Sequence, residues 1–161
     1  MARSVAARFE RSALVQGDAF FGFVERGYVD PWLPESHGQN RVVTEATARA
    51  TSVFARGGFT TIFDGMVGPW FLPTFLGTVE LGVVHYAVLM PSVETCVARV
   101  LGRTDHGFRE ETVTRDMHAS FSNGRIDAAS VIDAEPEAAA VAEEVLRRFE
   151  AGTLAYPTSA S

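Results

Sequence analysis

Short apolar runs rich in β-branched and aromatic residues alternate along this chain with longer stretches of helical period, the pattern of an α/β domain built on a parallel sheet. Four strands follow from it: Ala13–Gln16 (ALVQ), Thr60–Phe63 (TTIF), His85–Met90 (HYAVLM) and Ser130–Ile132 (SVI). Each is short and mostly apolar, as strands buried on both faces are, and the first two run into a residue pair containing Gly and Asp. Between them the spacing predicts a helix over Asn40–Arg56, where Val43, Ala46, Ala50, Val53 and Phe54 recur on one side and Gly57-Gly58 supplies the stop. A second helix covers Ser92–Arg103, with Ser92 as N-cap after Pro91 and Val93, Val97 and Val100 as its stripe. A third, Glu110–Phe121, aligns Val113, Met117 and Phe121, and a fourth, Pro136–Glu150, aligns Val141, Val145 and Phe149, with Pro136 in the first turn.

Two segments break the period. Gly27–Gly38 (GYVDPWLPESHG) has two prolines and two glycines and reads as a loop of the length at which loops tend to be functional. Thr104–Arg109 (TDHGFR) reads as a polar hinge between two helices. There is no internal repeat, so residues 1–152 form one domain, and 153–161 are expected to be a flexible tail, frayed from Tyr156 onward.

Composition narrows the chemistry. The 161 residues are 47% apolar and 21% charged, enough to bury a core, and the net charge is −6. All 14 basic residues are Arg, so Schiff-base chemistry and ammonium-based phosphate sites are excluded, and the acidic balance argues against a nucleic-acid surface. The single cysteine, Cys96, excludes an internal disulfide and multi-thiolate zinc, and fits a reducing compartment, by default the cytoplasm. Arg3, Arg8 and Arg11 interrupt the amino-terminal stretch before it sustains a signal-peptide run, and no segment has the apolar length for a membrane. Small molecules are the expected ligands.

In a parallel α/β sheet ligands bind outside the carboxyl ends of the strands. Asp18 follows the first strand in Gln16-Gly17-Asp18, and Asp64 follows the second in Phe63-Asp64-Gly65. Two carboxylates on one rim suit a general base for a hydroxyl and a holder of Mg²⁺; the same residues equally suit caps of the following helices. Arg99, Arg103, Arg109 and Arg115 gather around the polar hinge, where guanidinium forks on a movable helix suit oxyanions. The plainer alternative is a solvated face paired with Glu94, Asp105, Glu110 and Glu111. His37, His85, His106 and His118 lack the spacing of a metal pair and read as loop, strand and helix-surface histidines; no metal site of their own is expected. Cys96 reads as a buried, inert thiol. Phe20, Phe21, Phe23 and Pro69–Leu72, which follow the rim carboxylates, read mostly as core, with a minority left to wall an apolar pocket.

Taken in order, these segments resemble the small P-loop kinases of the AAA-like, chloramphenicol phosphotransferase-like group. ALVQGDAFF is similar to that group's second strand and catalytic aspartate, TTIFDGMVGPW to its Walker-B-like strand, LMPSVETCVARVLGR to its strand and arginine-bearing helix, the Arg109–Phe121 stretch to its lid, and SVIDAEPEAAAVAEEVL to its last strand and closing helix. The resemblance implies a three-layer P-loop NTPase-like parallel sheet with flanking helices, and transfer of the ATP γ-phosphoryl group, with Mg²⁺, to the hydroxyl of a small-molecule acceptor. It implies Asp18 as base or hydroxyl-orienting group, Asp64 facing Mg²⁺ or substrate, Arg99, Arg103, Arg109 and Arg115 as adenine-side and lid contacts, and Gly27–Gly38 as a wall of the acceptor pocket. The group's G-x-x-x-x-G-K-[ST] loop and first strand have no counterpart, and MARSVAARFERSALV looks like the helix that follows that loop. The sheet is therefore expected to lack its central strand, because Met1 is an internal start or because the deletion is genuine. The exposed edges left behind would favour self-association. The rival expectation is a non-catalytic binding domain on the same scaffold.

Overall fold

The computed structural model describes residues 1–102 and 109–158 and is a mixed α/β arrangement. Helix α1 (Ala2–Ala6) leads into β1 (Ser12–Gln16), a one-turn α2 (Asp18–Phe21) and the long α3 (His37–Arg56). Then come β2 (Thr60–Asp64), α4 (Leu72–Val79), β3 (Val83–His85), β4 (Val88–Leu89), α5 (Val93–Leu101) and α6 (Glu111–Ser122), and finally β5 (Val131–Ile132), α7 (Ala138–Glu150) and β6 (Ala155–Pro157). Among the described residues no helix is long and apolar enough to cross a membrane.

Among the described residues the strands form three two-stranded sheets. β1 and β2 are parallel, with Leu14 opposite Ile62 and Gln16 opposite Asp64. β4 and β5 are parallel, with Val88 opposite Val131, and β3 pairs antiparallel with β6. Packing nevertheless puts both parallel pairs in one layer. On one face Ile62 of β2 packs with Val5 of α1 and Ala142, Val145 and Leu146 of α7. The same Val145 packs with Ile132 of β5 and Leu89 of β4. On the other face Phe63 of β2 and Val84 of β3 meet Phe75 and Val79 of α4, with Ala48 of α3 behind them. Tyr86, just before β4, donates its hydroxyl to the carbonyl of Val67, just after β2, at 2.8 Å. Among the described residues no ladder joins β2 to β4, and none of the five residues of β2 is fully buried. A parallel strand is ordinarily covered on both faces and paired on both edges. The sequence leads one to expect a parallel sheet short of its central strand; among the described residues β1–β2 and β4–β5 are separate two-stranded pairs.

Several local expectations need correction. The buried side of α3 is Val43, Thr44, Thr47, Ala48, Thr51 and Ser52, while Val53 and Phe54 are exposed. Hydroxyls pass for polar in a periodicity count, but here they return to the helix: Thr47 donates to Val43 O at 2.9 Å and Thr51 to Thr47 O at 2.8 Å, so small residues bury without an orphaned donor. His37 and Gly38, expected in the loop, begin α3 after a 3₁₀ turn over Pro34–Ser36. The run His85–Met90 is divided between β3 and β4, which belong to different sheets, and Ser130 closes a 3₁₀ turn ahead of β5. Pro136 precedes the N-cap Glu137 of α7 and is not in its first turn. The cause is the preceding turn, in which Asp133 Oδ1 accepts the Glu135 amide at 2.9 Å and holds the chain out of helix until Glu137. β6 takes up Ala155–Pro157, residues assigned by sequence to the tail. The hinge expected over Thr104–Arg109 lies outside the described residues except for Arg109.

Candidate active-site rim

The carboxyl ends of β1 and β2 meet closely. The Gly17 amide donates to Asp64 O at 2.8 Å, extending the parallel pairing one residue past the strands. The contact requires glycine on both sides: a Cβ on Gly17 would lie 2.8 Å from the Phe63 ring and 3.3 Å from the Gly65 Cα, and one on Gly65 would lie 3.1 Å from the Gly17 Cα. This approach sets Asp18 and Asp64 on one rim. Both are exposed, and neither carboxylate has a hydrogen-bond or ion-pair partner among the described residues. The capping alternative is not what the geometry shows. Asp18 is the first residue of α2, whose N-cap is Gly17 with no side-chain cap bond, and the helix after Asp64 is capped by Phe71.

The loop beside this rim is pinned rather than loose. Gln39 reads the backbone of Val29 from both sides, accepting its amide at 2.9 Å and donating to its carbonyl at 2.6 Å. Ser36 and Asn40 both donate to Pro31 O. Of the aromatics that follow the rim carboxylates, Phe71 is buried in the core and stacks on His37 with ring centroids 5.2 Å apart. Phe20 and Phe21 are half-buried, and Phe23 and Trp70 are exposed.

The carboxyl ends of β4 and β5 are built differently. Ser92 caps α5 as expected, its Oγ accepting the Thr95 amide at 3.2 Å. Glu135, after β5, accepts the Ser92 amide at 2.5 Å and the Thr95 hydroxyl at 2.8 Å. The hydrogen bonds from Ser92, then from Thr95, hold its carboxyl down to about 2. Arg99 reaches Glu135 O at 3.4 Å. Beside them a cavity of about 400 Å³ is lined by Met1, Leu89, Arg99, Ala134, Glu135 and Val141. Glu135 escaped the sequence reading, although it obeys the positional rule that picked out Asp18 and Asp64: a carboxylate just past a strand's carboxyl end.

The other candidates are distributed as follows. Arg115 on α6 pairs with Glu111 at 2.9 Å and reaches Glu94 of α5 at 3.6 Å, the solvated pairing that was its plainer alternative. Arg109 is exposed just ahead of α6, and Arg103 and His106 lie outside the described residues. His85 lies against the Phe149 ring at 4.5 Å, and burial lowers its pKa. His118 lies 3.0 Å from Pro91 O, tying α6 to the turn before α5. Cys96 is half-buried, and burial raises its thiol pKa. Among the described residues no group of three or more His, Cys, Asp or Glu is arranged to hold a metal ion. As hard oxygen donors, Asp18 and Asp64 fit Mg²⁺, which commonly takes only one or two carboxylates alongside substrate phosphates. For the phosphates of a nucleoside triphosphate the residues present offer no cradle: the chain has no Lys, and neither rim glycine begins a phosphate-cradling loop. Compared with known proteins, the chain matches no protein-family model and no curated relative.

Proposed function

We propose that this chain is the larger part of an ATP-dependent small-molecule kinase, which moves the γ-phosphoryl group of ATP to a hydroxyl of its acceptor. The observation that carries this reading is the pair of unpartnered carboxylates, Asp18 and Asp64, brought together at the carboxyl ends of a parallel pair by the Gly17–Gly65 approach. Asp18 orients and deprotonates the acceptor hydroxyl, and Asp64 faces Mg²⁺ directly or through water. The cavity beside Arg99 takes the nucleotide base, and Arg103, Arg109 and Arg115 contribute lid contacts. Arg115 would have to exchange Glu111 and Glu94 for phosphate to do so.

The triphosphate cradle is the part these residues do not supply. The reading assigns it to a strand and loop outside this chain, entering the layer between β2 and β4. That β2 and β4 are each paired on one edge only among the described residues supports that assignment, since each has an edge left for a further strand. The second reading, a non-catalytic binding domain, is favoured by the same missing cradle, because positioning and electrostatics are nearly all that phosphoryl transfer asks of a protein.

Reading the coding sequence upstream of Met1 in frame separates the two. A G-x-x-x-x-G-K-[ST] run there supports the kinase, and the protein extended to include it should move label from γ-labelled ATP to a member of a panel of hydroxyl compounds. The 161-residue chain alone should bind Mg²⁺-ATP with Kd weaker than ~1 mM by calorimetry. Tight binding by this chain would overturn the assignment of the cradle, and an upstream frame without the motif would leave the binding-domain reading standing.

A further inference from the structure

A second cavity, of about 370 Å³, lies along α4, where Leu72 both lines it and packs against the core cluster that holds Phe75 and Val79. Its walls are Leu72, Pro73 and Leu76, and its floor at Gly77 is open: a Cβ there would meet no atom within 4 Å. Two polar groups complete the lining, the Arg125 guanidinium and the Tyr156 phenol. Neither has a hydrogen-bond or ion-pair partner among the described residues; Tyr156 meets Tyr86 only ring to ring, at 6.1 Å.

Arg125 is held near α4 by built contacts. The turn after α6 rests on the turn before α4, with Gly124 so close to Pro69 that a Cβ would lie 2.5 Å from its Cγ. Phe121 meets Trp70 edge-on at 5.2 Å beside it. Tyr156 is fixed by β6, opposite Val84 of β3. Arg125 pairs with no carboxylate among the described residues, which it shares with Arg3 and Arg26, whereas Arg8, Arg41, Arg49, Arg56, Arg115, Arg147 and Arg148 do. α4 itself carries no charge that could neutralise it.

We propose that this cavity is a binding site, separate from the rim, for a small amphipathic carboxylate. The ligand's apolar body lies on Leu72, Pro73 and Leu76, its carboxylate takes the guanidinium fork of Arg125, and the Tyr156 hydroxyl donates to the same group. A phosphate monoester without an apolar body would leave the α4 wall uncovered, and an apolar alcohol would leave the guanidinium unpaired.

The probe is octanoate, with octanol and inorganic phosphate as controls, titrated calorimetrically into the 161-residue chain. Octanoate should bind with Kd below ~1 mM, and each control at least ~10-fold more weakly, the loss of one charge-assisted contact or of the apolar wall. Arg125→Gln should weaken octanoate at least ~10-fold and leave octanol unchanged. Gly77→Leu fills the open floor and should abolish octanoate binding while keeping Arg125, with the melting temperature unchanged or raised. Circular dichroism checks that both variants fold. No octanoate binding by the parent chain, or binding indifferent to both substitutions, overturns the proposal. Neither result bears on the proposed phosphoryl transfer, which is assigned to other residues.

Discussion

The two parallel pairs end in carboxylates that are used in opposite ways. At the β4–β5 end, Glu135 is committed: it ties the turn after β5 to the start of α5 and carries Arg99 on its carbonyl. At the β1–β2 end, Asp18 and Asp64 are presented by a backbone contact between glycines and have no hydrogen-bond or ion-pair partner among the described residues. A carboxylate used as a clamp has its lone pairs filled and its acidity deepened, whereas one reserved for a substrate must keep them open. Position alone, at a strand's carboxyl end, selects all three residues; only the partners tell the roles apart.

The sharpest way to break this contrast is Asp18→Asn in the protein extended to carry a phosphate-binding loop. Loss of a general base should lower kcat ~10²- to 10⁴-fold, with a melting temperature within a few degrees of the parent because no cap bond is lost. Unchanged turnover would move the role to Asp64, and unfolding would show that Asp18 is structural after all.

Next in size is Gly17→Val, which presses a branched side chain into the Phe63 ring and the Gly65 backbone. A destabilisation of ~1–3 kcal/mol in urea unfolding is expected, the range for overpacking. Gly38→Val, in α3 with no atom within 4 Å of its Cβ, is the matched control and should cost much less.

Glu135→Gln tests the clamp. The carboxyl is held down to about 2 in the folded protein, below its ordinary value of 4.5, so its stabilising effect is present above that ordinary value and is lost as pH falls through the folded one. The parent should therefore be more stable than Glu135→Gln at pH 7, and the two unfolding curves should converge between about pH 4.5 and pH 2. A difference that is constant with pH would mean the amide replaces the carboxylate and ionisation contributes nothing.

The smallest effect is expected at Arg115. Its pairs with Glu111 and Glu94 are exposed, so Arg115→Gln should leave the melting temperature unresolved from the parent. In the extended protein the same substitution should raise KM for ATP several-fold if α6 closes over phosphate. An unchanged KM would leave the guanidinium to the surface pairing it shows.

What could be read from the sequence follows what decides each element. β1 and β2 were legible because β-branched runs broken by Gly and Asp have few alternatives, and α5 because Ser92 after Pro91 is a start signal written locally. α4 was not, since Leu-Pro-Thr-Phe-Leu-Gly-Thr-Val sets Pro, Gly, two Thr and Val, all weak helix formers, among its eight residues and is held by burial of Phe75 and Val79, which only the tertiary structure supplies. The buried side of α3 was misjudged because threonine's behaviour depends on where its hydroxyl goes. At the site, Asp18 and Asp64 were found by their place after strands. Their closeness depends on a Gly17–Asp64 hydrogen bond between residues far apart in sequence, and the lining of one cavity by both Arg125 and Tyr156 was equally invisible.

The bridging position of α7 also governs how the molecule opens. Its Val145 is shared between the cluster against β2 and the cluster against β4 and β5, and side-chain packing of this kind does for the two parallel pairs what a continuous ladder would do elsewhere. Packing contacts shear and re-form without breaking a backbone bond in either pair. Amide exchange should therefore resolve two cooperative units, β1–β2 and β4–β5, that open separately under native conditions, with Val145→Ala widening the interval between their opening free energies.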